Sequence, residues 1–258
     1  MGLLFDKFCN RWSATGELKE AKHDFLKEEV LADYKRGHEM LEGLLESWIT
    51  RRKVLVERLG GKTETFTTTS RLVTGLGMNH VLENGFVWHP TLSVPYLPGS
   101  GVKGMVRAWV DPGKGWSDGS DGKTARRLFG GGNAGGDDDL DEGDDLGVGT
   151  LVVFDALPAK VPLLWIDIMN VHHQTYYQKG QAPSDYEKPI LVYFLVVDAG
   201  VDFEFAIAPR PGVGTSADVD EGFTLLKHGT EILGFGAKTA TGYGRFERVA
   251  DSAGKGGR

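Results

Sequence analysis

Lys103 and Arg107 stand four residues apart in the stretch LPGSGVKGMVRAW, residues 97–109. On a helix that spacing stacks both cations on one face, while Val102, Val106 and Trp109 fall on another that suits a core. Pro98-Gly99 reads as a turn and Ser100 as an N-cap, so the helix is expected to begin there with its first amides pointing outward. A helix N-terminus flanked by two cations is a ready phosphate site. An ordinary amphipathic helix with a wet charged face has the same pattern, and the stretch alone admits both.

A second stretch, GFGAKTATGYGRF at 234–246, sets Gly234, Gly236, Gly242 and Gly244 around Lys238. Ala237 separates Gly236 from Lys238, where a Walker phosphate loop needs glycine next to lysine. Thr239 occupies the place of the third glycine in a dinucleotide fingerprint, so a nucleotide cofactor is disfavoured. Two readings survive. One is a tight turn that uses glycine's backbone freedom; the other is a floor of small residues on which a large anion lies. For the second, exposed amides, Lys238 and the rings of Phe235 and Tyr243 supply what gripping a nucleic-acid backbone and stacking its bases require.

Acid–base cleavage of RNA needs a histidine or comparable group beside the scissile phosphate. His172 and His173, with Tyr176 and Tyr177, form the cluster that could supply it. On a strand the two histidines point to opposite faces, leaving at most one for a site; a partner contact or a half-buried aromatic patch is the plainer role. His89, between Trp88 and Pro90, reads as structural. Metal-assisted cleavage needs carboxylates gathered on rigid elements, and Asp155 and Asp167 each end or interrupt an apolar strand, where capping a turn is commoner. The expectation is no catalytic residue, no metal and no cofactor.

Charge does not decide against a nucleic-acid partner. The net charge of −7 comes from 36 acidic against 29 basic residues. Seven acidic ones, Asp137, Asp138, Asp139, Asp141, Glu142, Asp144 and Asp145, crowd into GGGNAGGDDDLDEGDDLGVG, and without them the signs balance at 29 each. The remaining basic residues are then free to form a local patch. The acidic segment, near 131–149, is glycine-rich and like-charged and is expected to be a disordered loop. As a calcium loop beginning at Asp137 it fails, with Glu142 at the sixth position and Val148 at the twelfth. A single cysteine, Cys9, excludes an intrachain disulfide. With neither a transmembrane run nor a secretory signal in view, a cytoplasmic protein without membrane contact is expected.

These residues need a scaffold. Between about Glu17 and Leu59, apolar residues recur at spacings of three and four and predict two amphipathic helices broken near Gly37. Arg51, Arg52, Lys53 and Arg58 near the end of that region could contact RNA or form a solvated helix face. After Gly60-Gly61, KTETFTTTSRLV reads as a strand. A short hairpin around FVWHPTLSVPYLP, the helix at SGVKGMVRAWV and a helical turn at KTARRLFG follow. TLVVFDA, LLWIDIM, ILVYFLVVD and VDFEFAIAP are further strands, EGFTLLKHGTEIL is a helix, and a strand around YGRFERV closes the order. This suits an α+β fold, ferredoxin-like (RRM-like), with insertions. It divides as an N-terminal helical extension over 1–60, the sheet domain over 61–250 and a disordered tail over 251–258.

The pair PGSGVKGMVR and GFGAKTATGYGRF, in that order and separated by strands, resembles the RAMP superfamily of CRISPR proteins. HPTLSVPYLPGSGVKG, RRLFGG, LVVFDALPA and WIDIMNVHHQTYY narrow the resemblance to subunits of the type III-B Cmr effector complex, over roughly residues 65–248. It departs from that pattern where PGSG replaces the usual PGSS and where VHHQ stands. The resemblance implies a ferredoxin-like RAMP domain and a non-catalytic, RNA-binding ribonucleoprotein subunit in antiviral defence. Its implied partners are crRNA, held towards its 3′ region, target RNA, the backbone RAMP subunit and the first Cmr subunit. It further implies RNA contacts at Ser100, Lys103 and Arg107 and at Gly234, Phe235, Gly236, Ala237, Lys238, Thr239, Gly242, Tyr243 and Arg245, with His172 nearby. Such a subunit grips the guide's backbone and tolerates any guide sequence. A RAMP endoribonuclease that processes precursor RNA is the alternative.

Overall fold

In VDFEFAIAP the apolar residues hardly alternate, which is what a strand covered on both faces looks like. The computed structural model, which describes residues 2–9, 15, 22–110, 122–130, 148–171, 180 and 190–249, places this stretch at the centre of a sheet. The helices α1 (Gly2–Lys7), α2 (Lys22–Asp24), α3 (Ala32–Arg36) and α4 (His38–Arg58) come first, with a π-helical stretch, Phe25–Leu31, joining α2 to α3. Gly37 separates α3 from α4, as the sequence led one to expect. Then follow β1 (Lys62–Thr68), α5 (Gly99–Val110), α6 (Gly122–Phe129), β2 (Leu151–Val153), β3 (Leu157–Pro158), β4 (Leu164–Val171), β5 (Ile190–Val197), β6 (Asp202–Pro209), α7 (Ser216–Ile232) and β7 (Phe246–Arg248).

The fold mixes helices with antiparallel sheets. The main sheet has the order β2-β6-β1-β7, with β3 also on β6, and every pairing in it is antiparallel. Phe203, Phe205 and Ile207 point to one face of β6, where Phe205 meets Phe66 and Phe246 at ring distances of 5.1 and 5.8 Å and Ile207 lies under Gly222 of α7. Glu204 points to the other face, towards α4. There Arg52 and Lys53 pair with it, and Arg52 also donates to the Asp155 carbonyl at 2.6 Å. Arg52 is only 7% exposed, so this member of the expected basic cluster is a structural pin rather than a surface cation. One core runs from Phe5 and Phe25 in the N-terminal helices through Leu45 to Phe205 and Leu226.

The second sheet is the hairpin β4–β5, paired from Leu164↔Val197 to Val171↔Ile190 and inserted between β3 and β6. A bridge from Leu72 to Val197 ties it to the chain leaving β1. Thr215 and Asp218 form a reciprocal cap at the start of α7, and Arg127 of α6 pairs with Asp218 and Glu221 there. Most of the acidic segment (131–147), His172 with its neighbours through Tyr177, and the tail 251–258 lie outside the described residues. No helix among the described residues is long and apolar enough to cross a membrane.

Candidate nucleic-acid interface

Between β2 and β3 the Phe154 amide still donates to the Ala206 carbonyl of β6 at 3.0 Å, but the edge chain then bulges over Asp155 and Ala156 before pairing resumes, and this bulge aims Asp155 at the start of α5. Its Oδ1 accepts the Gly99 amide at 2.7 Å, and Leu97 and Ala156 exchange backbone hydrogen bonds of 3.0 and 2.8 Å. Helix α5 therefore begins at Gly99. Ser100 lies inside its first turn, exposed, and is not the N-cap that its residue type suggests; Asp155, 56 positions from Gly99, takes up that residue's end amide instead. The strand-end carboxylates have separate tasks, because Asp167 serves a different set of donors. Among the described residues no group of three histidine, cysteine or acidic side chains is arranged to hold a metal.

The glycine loop meets α5 through a side chain. Phe235 is buried, and its Cζ lies 3.1 Å from where a Cβ on Gly101 would stand. This contact joins the two motifs and accounts for glycine at 101. It also places the Phe235 ring in the core instead of on a base-stacking surface.

The loop's own glycines answer to the chain itself. A Cβ at Gly236, where φ is +92°, would lie 2.3 Å from the Val73 carbonyl; one at Gly244, where φ is +71°, would lie 1.8 Å from that of Phe235. At these two positions the space is taken by the protein's own backbone, as the tight-turn reading of the loop requires. The amides of Gly234 and Ala237 donate to the Gly229 and Val73 carbonyls at 3.1 and 2.8 Å. Those of Gly236 and Lys238 have no partner among the described residues. Gly236 and Gly242 are exposed, and Lys238, itself left-handed at φ 57°, and Thr239 are half-buried.

Tyr243 and Arg245 fasten the loop. The Tyr243 hydroxyl donates to Asp167 at 2.8 Å, as does Arg71 at 2.9 Å, linking the loop to β4. Burial alone would raise the Asp167 pKa, but bonds from Tyr243, the Ile168 amide and Arg71 outweigh it and hold the carboxyl below its ordinary value. Burial and the same carboxylate raise the Tyr243 pKa. Arg245 donates to the Thr239 carbonyl at 3.2 Å, and its amide donates to Ser70 Oγ at 3.0 Å.

Lys103 and Arg107 lie on the flank of α5 away from this loop: at about 100° per residue, Lys103 is roughly 160° around the helix from Gly101. Both are half-buried. Arg210, which sequence reasoning missed, joins them. Partial burial, then repulsion from Arg210 and Arg107, lower the Lys103 pKa. Arg210 follows β6 directly, and its Nε donates to the Gly149 carbonyl at 2.8 Å. Nothing in its local sequence, between two prolines, marks it as part of a cluster. The arrangement brings three cations to one flank of α5 and Lys238 to the loop beyond its other flank, with Ser100 and Gly104 exposed between.

A family model described as RAMPs, the RAMP superfamily, matches residues 65–247. The CRISPR system Cmr subunit Cmr6 of Pyrococcus furiosus is 31% identical over 74% of this chain and 69% of that protein. Its counterpart in Saccharolobus solfataricus is 22% identical over 88% and 72%. Among solved structures, a chain of the type III-B Cmr-beta bound to cognate target RNA, determined by cryo-EM, has the same fold, with a TM-score of 0.58 at 19% identity over 93% of this chain and 82% of that one. The chain thus belongs to the RAMP superfamily and is, within it, a homologue of Cmr6.

Proposed function

We propose that this protein is a non-catalytic, RNA-binding subunit of a type III-B CRISPR ribonucleoprotein, holding crRNA, towards its 3′ region, while target RNA pairs with it. The observation that carries the reading is the gathering of Arg210 beside Lys103 and Arg107 at one flank of α5, whose first turn is tied through Gly101 and Phe235 to the loop bearing Lys238. Cations suit phosphates of any sequence, the lysine as a point charge and the two guanidinium groups as planar forks, as a guide-tolerant grip demands. The order β1-α5-β2-β6-α7-β7, with sheet order β2-β6-β1-β7, supports a ferredoxin-like domain under the RNA. Partners of this kind are the backbone RAMP subunit and the first Cmr subunit.

Co-expression with those subunits and a CRISPR array, followed by sequencing of the copurifying RNA, tests the reading. A discrete small guide RNA is expected; an assembled complex without one would overturn it. Lys103→Glu with Arg210→Glu should weaken guide retention at least tenfold while the chain stays folded. Purified protein incubated with precursor RNA, with and without magnesium, should release no specific products, and specific cleavage would favour a ribonuclease.

A further inference from the structure

Helix α4 buries Leu41, Leu45, Ile49, Arg52 and Val56 against the sheet and the other helices. A second face has no such cover among the described residues. At about 100° per residue, Met40, Leu44, Trp48, Arg51, Leu55 and Arg58 fall in one stripe. Its apolar members are 67%, 47%, 38% and 49% exposed at positions 40, 44, 48 and 55. The acidic residues of α4, namely Glu39, Glu42, Glu46 and Glu57, all fall on the opposite flank. The stripe therefore carries apolar groups and two cations and no carboxylate.

The stripe also leads into a hollow. Trp48 and Leu55, with Arg51 and Arg52, line a cavity of about 300 Å³ that His89, Phe154, Asp155 and Leu157 complete. The His89 ring stands edge-on to Trp48 at 5.5 Å and is fixed by the Leu92 amide, which donates to its Nδ1 at 3.2 Å. Arg51 lies over the Trp48 ring at 5.7 Å, covering the rim. Trp, Met and Arg are the residue types enriched where proteins bind proteins, and an aromatic beside a pocket is where binding energy concentrates.

We propose that this stripe and cavity dock an amphipathic helix from a neighbouring protein subunit, one large apolar side chain of that helix filling the cavity and its carboxylates meeting Arg51 and Arg58. Spacings of four, four and seven along α4 match the repeat of a partner helix lying in the groove. Aliphatic Met40, Leu44 and Leu55 give RNA nothing to pair with or stack on. A second copy of this chain would set two more cations against Arg51 and Arg58, and the single carboxylate of the surface, Asp155 in the cavity, already accepts the Gly99 amide. The inference rests on the reading of the protein as a subunit of an assembly.

The test places a photo-crosslinking residue at position 44 or 55 in the chain co-assembled with the other complex subunits and guide RNA. Both positions are expected to capture one helix of one protein subunit, at residues sharing a face and flanked by carboxylates. Leu44→Asp with Trp48→Glu should weaken that subunit's binding roughly 30-fold or more, the scale of a buried anchor. Arg51→Glu should weaken it less and be rescued by a carboxylate-to-lysine change on the captured helix, which keeps the test alive if the Trp48 variant misfolds. Crosslinks to RNA or to a second copy, or no crosslink from an assembled complex, would refute the docking surface. Failure of the wild-type chain to assemble at all would instead remove the subunit reading beneath it.

Discussion

Lys103 illustrates how a single side chain can report on a surface. Partial burial and the neighbouring guanidinium groups disfavour its charged form, so its pKa in the fold lies below the ordinary lysine value. Between those two values the unfolded chain binds more protons than the folded one, and the contribution of Lys103 to stability rises with pH. RNA phosphates would push the other way, restoring the proton. Guide affinity of the assembled complex should therefore fall as pH rises through that same window. Lys103→Arg, charged throughout, should flatten the fall; identical pH profiles for variant and wild type would show that Lys103 meets no phosphate. The four-residue spacing of Lys103 and Arg107 made the pair legible in the sequence. Arg210 was not, because only the pairing of β2 with β6 carries it to them.

At the level of elements, the strands and long helices could be read from periodicity, whereas the purpose of the glycine loop could not. The residues that press on it, Arg71 and Val73, lie far back in the chain, beside β1, and bear no local mark of it. The sequence left bare backbone open to two readings, a tight turn or room for a ligand, and the fold uses much of it for its own carbonyls. Two alanine substitutions separate the effects. Gly242 and Gly244 both have positive φ, but a Cβ at Gly242 meets nothing within 4 Å whereas one at Gly244 collides with the Phe235 carbonyl. Gly242→Ala should cost about 1–2 kcal/mol, the strain of a left-handed alanine. Gly244→Ala should cost clearly more, since backbone must also move, and should release Phe235 from Gly101. Chemical denaturation of both variants, with hydrogen exchange at the Phe235 amide, would measure the difference. Equal costs would mean that the loop yields easily and that its contact with α5 is loose.

Across the whole molecule, the N-terminal helices and the sheet share one core, and the buried pairing of Glu204 with Arg52 and Lys53 is its polar joint. Burial lowers the Arg52 pKa, opposed by Glu204 and Asp155, so the guanidinium depends on its partners. Removing one member of such a pair leaves a charge in a place of low polarity, which costs about 3 kcal/mol. In a chain of this size that corresponds to a fall of roughly 6–12 °C in Tm. Glu204→Gln should show this loss in a single transition, because α4 and β6 would come apart together. Replacing both partners with apolar residues, Arg52→Met with Glu204→Leu, should recover most of it, since a well-packed apolar pair needs no compensation. If calorimetry of Glu204→Gln instead splits unfolding into two steps, the helices and the sheet are separable bodies, and the docking stripe on α4 would then report on the helical layer alone.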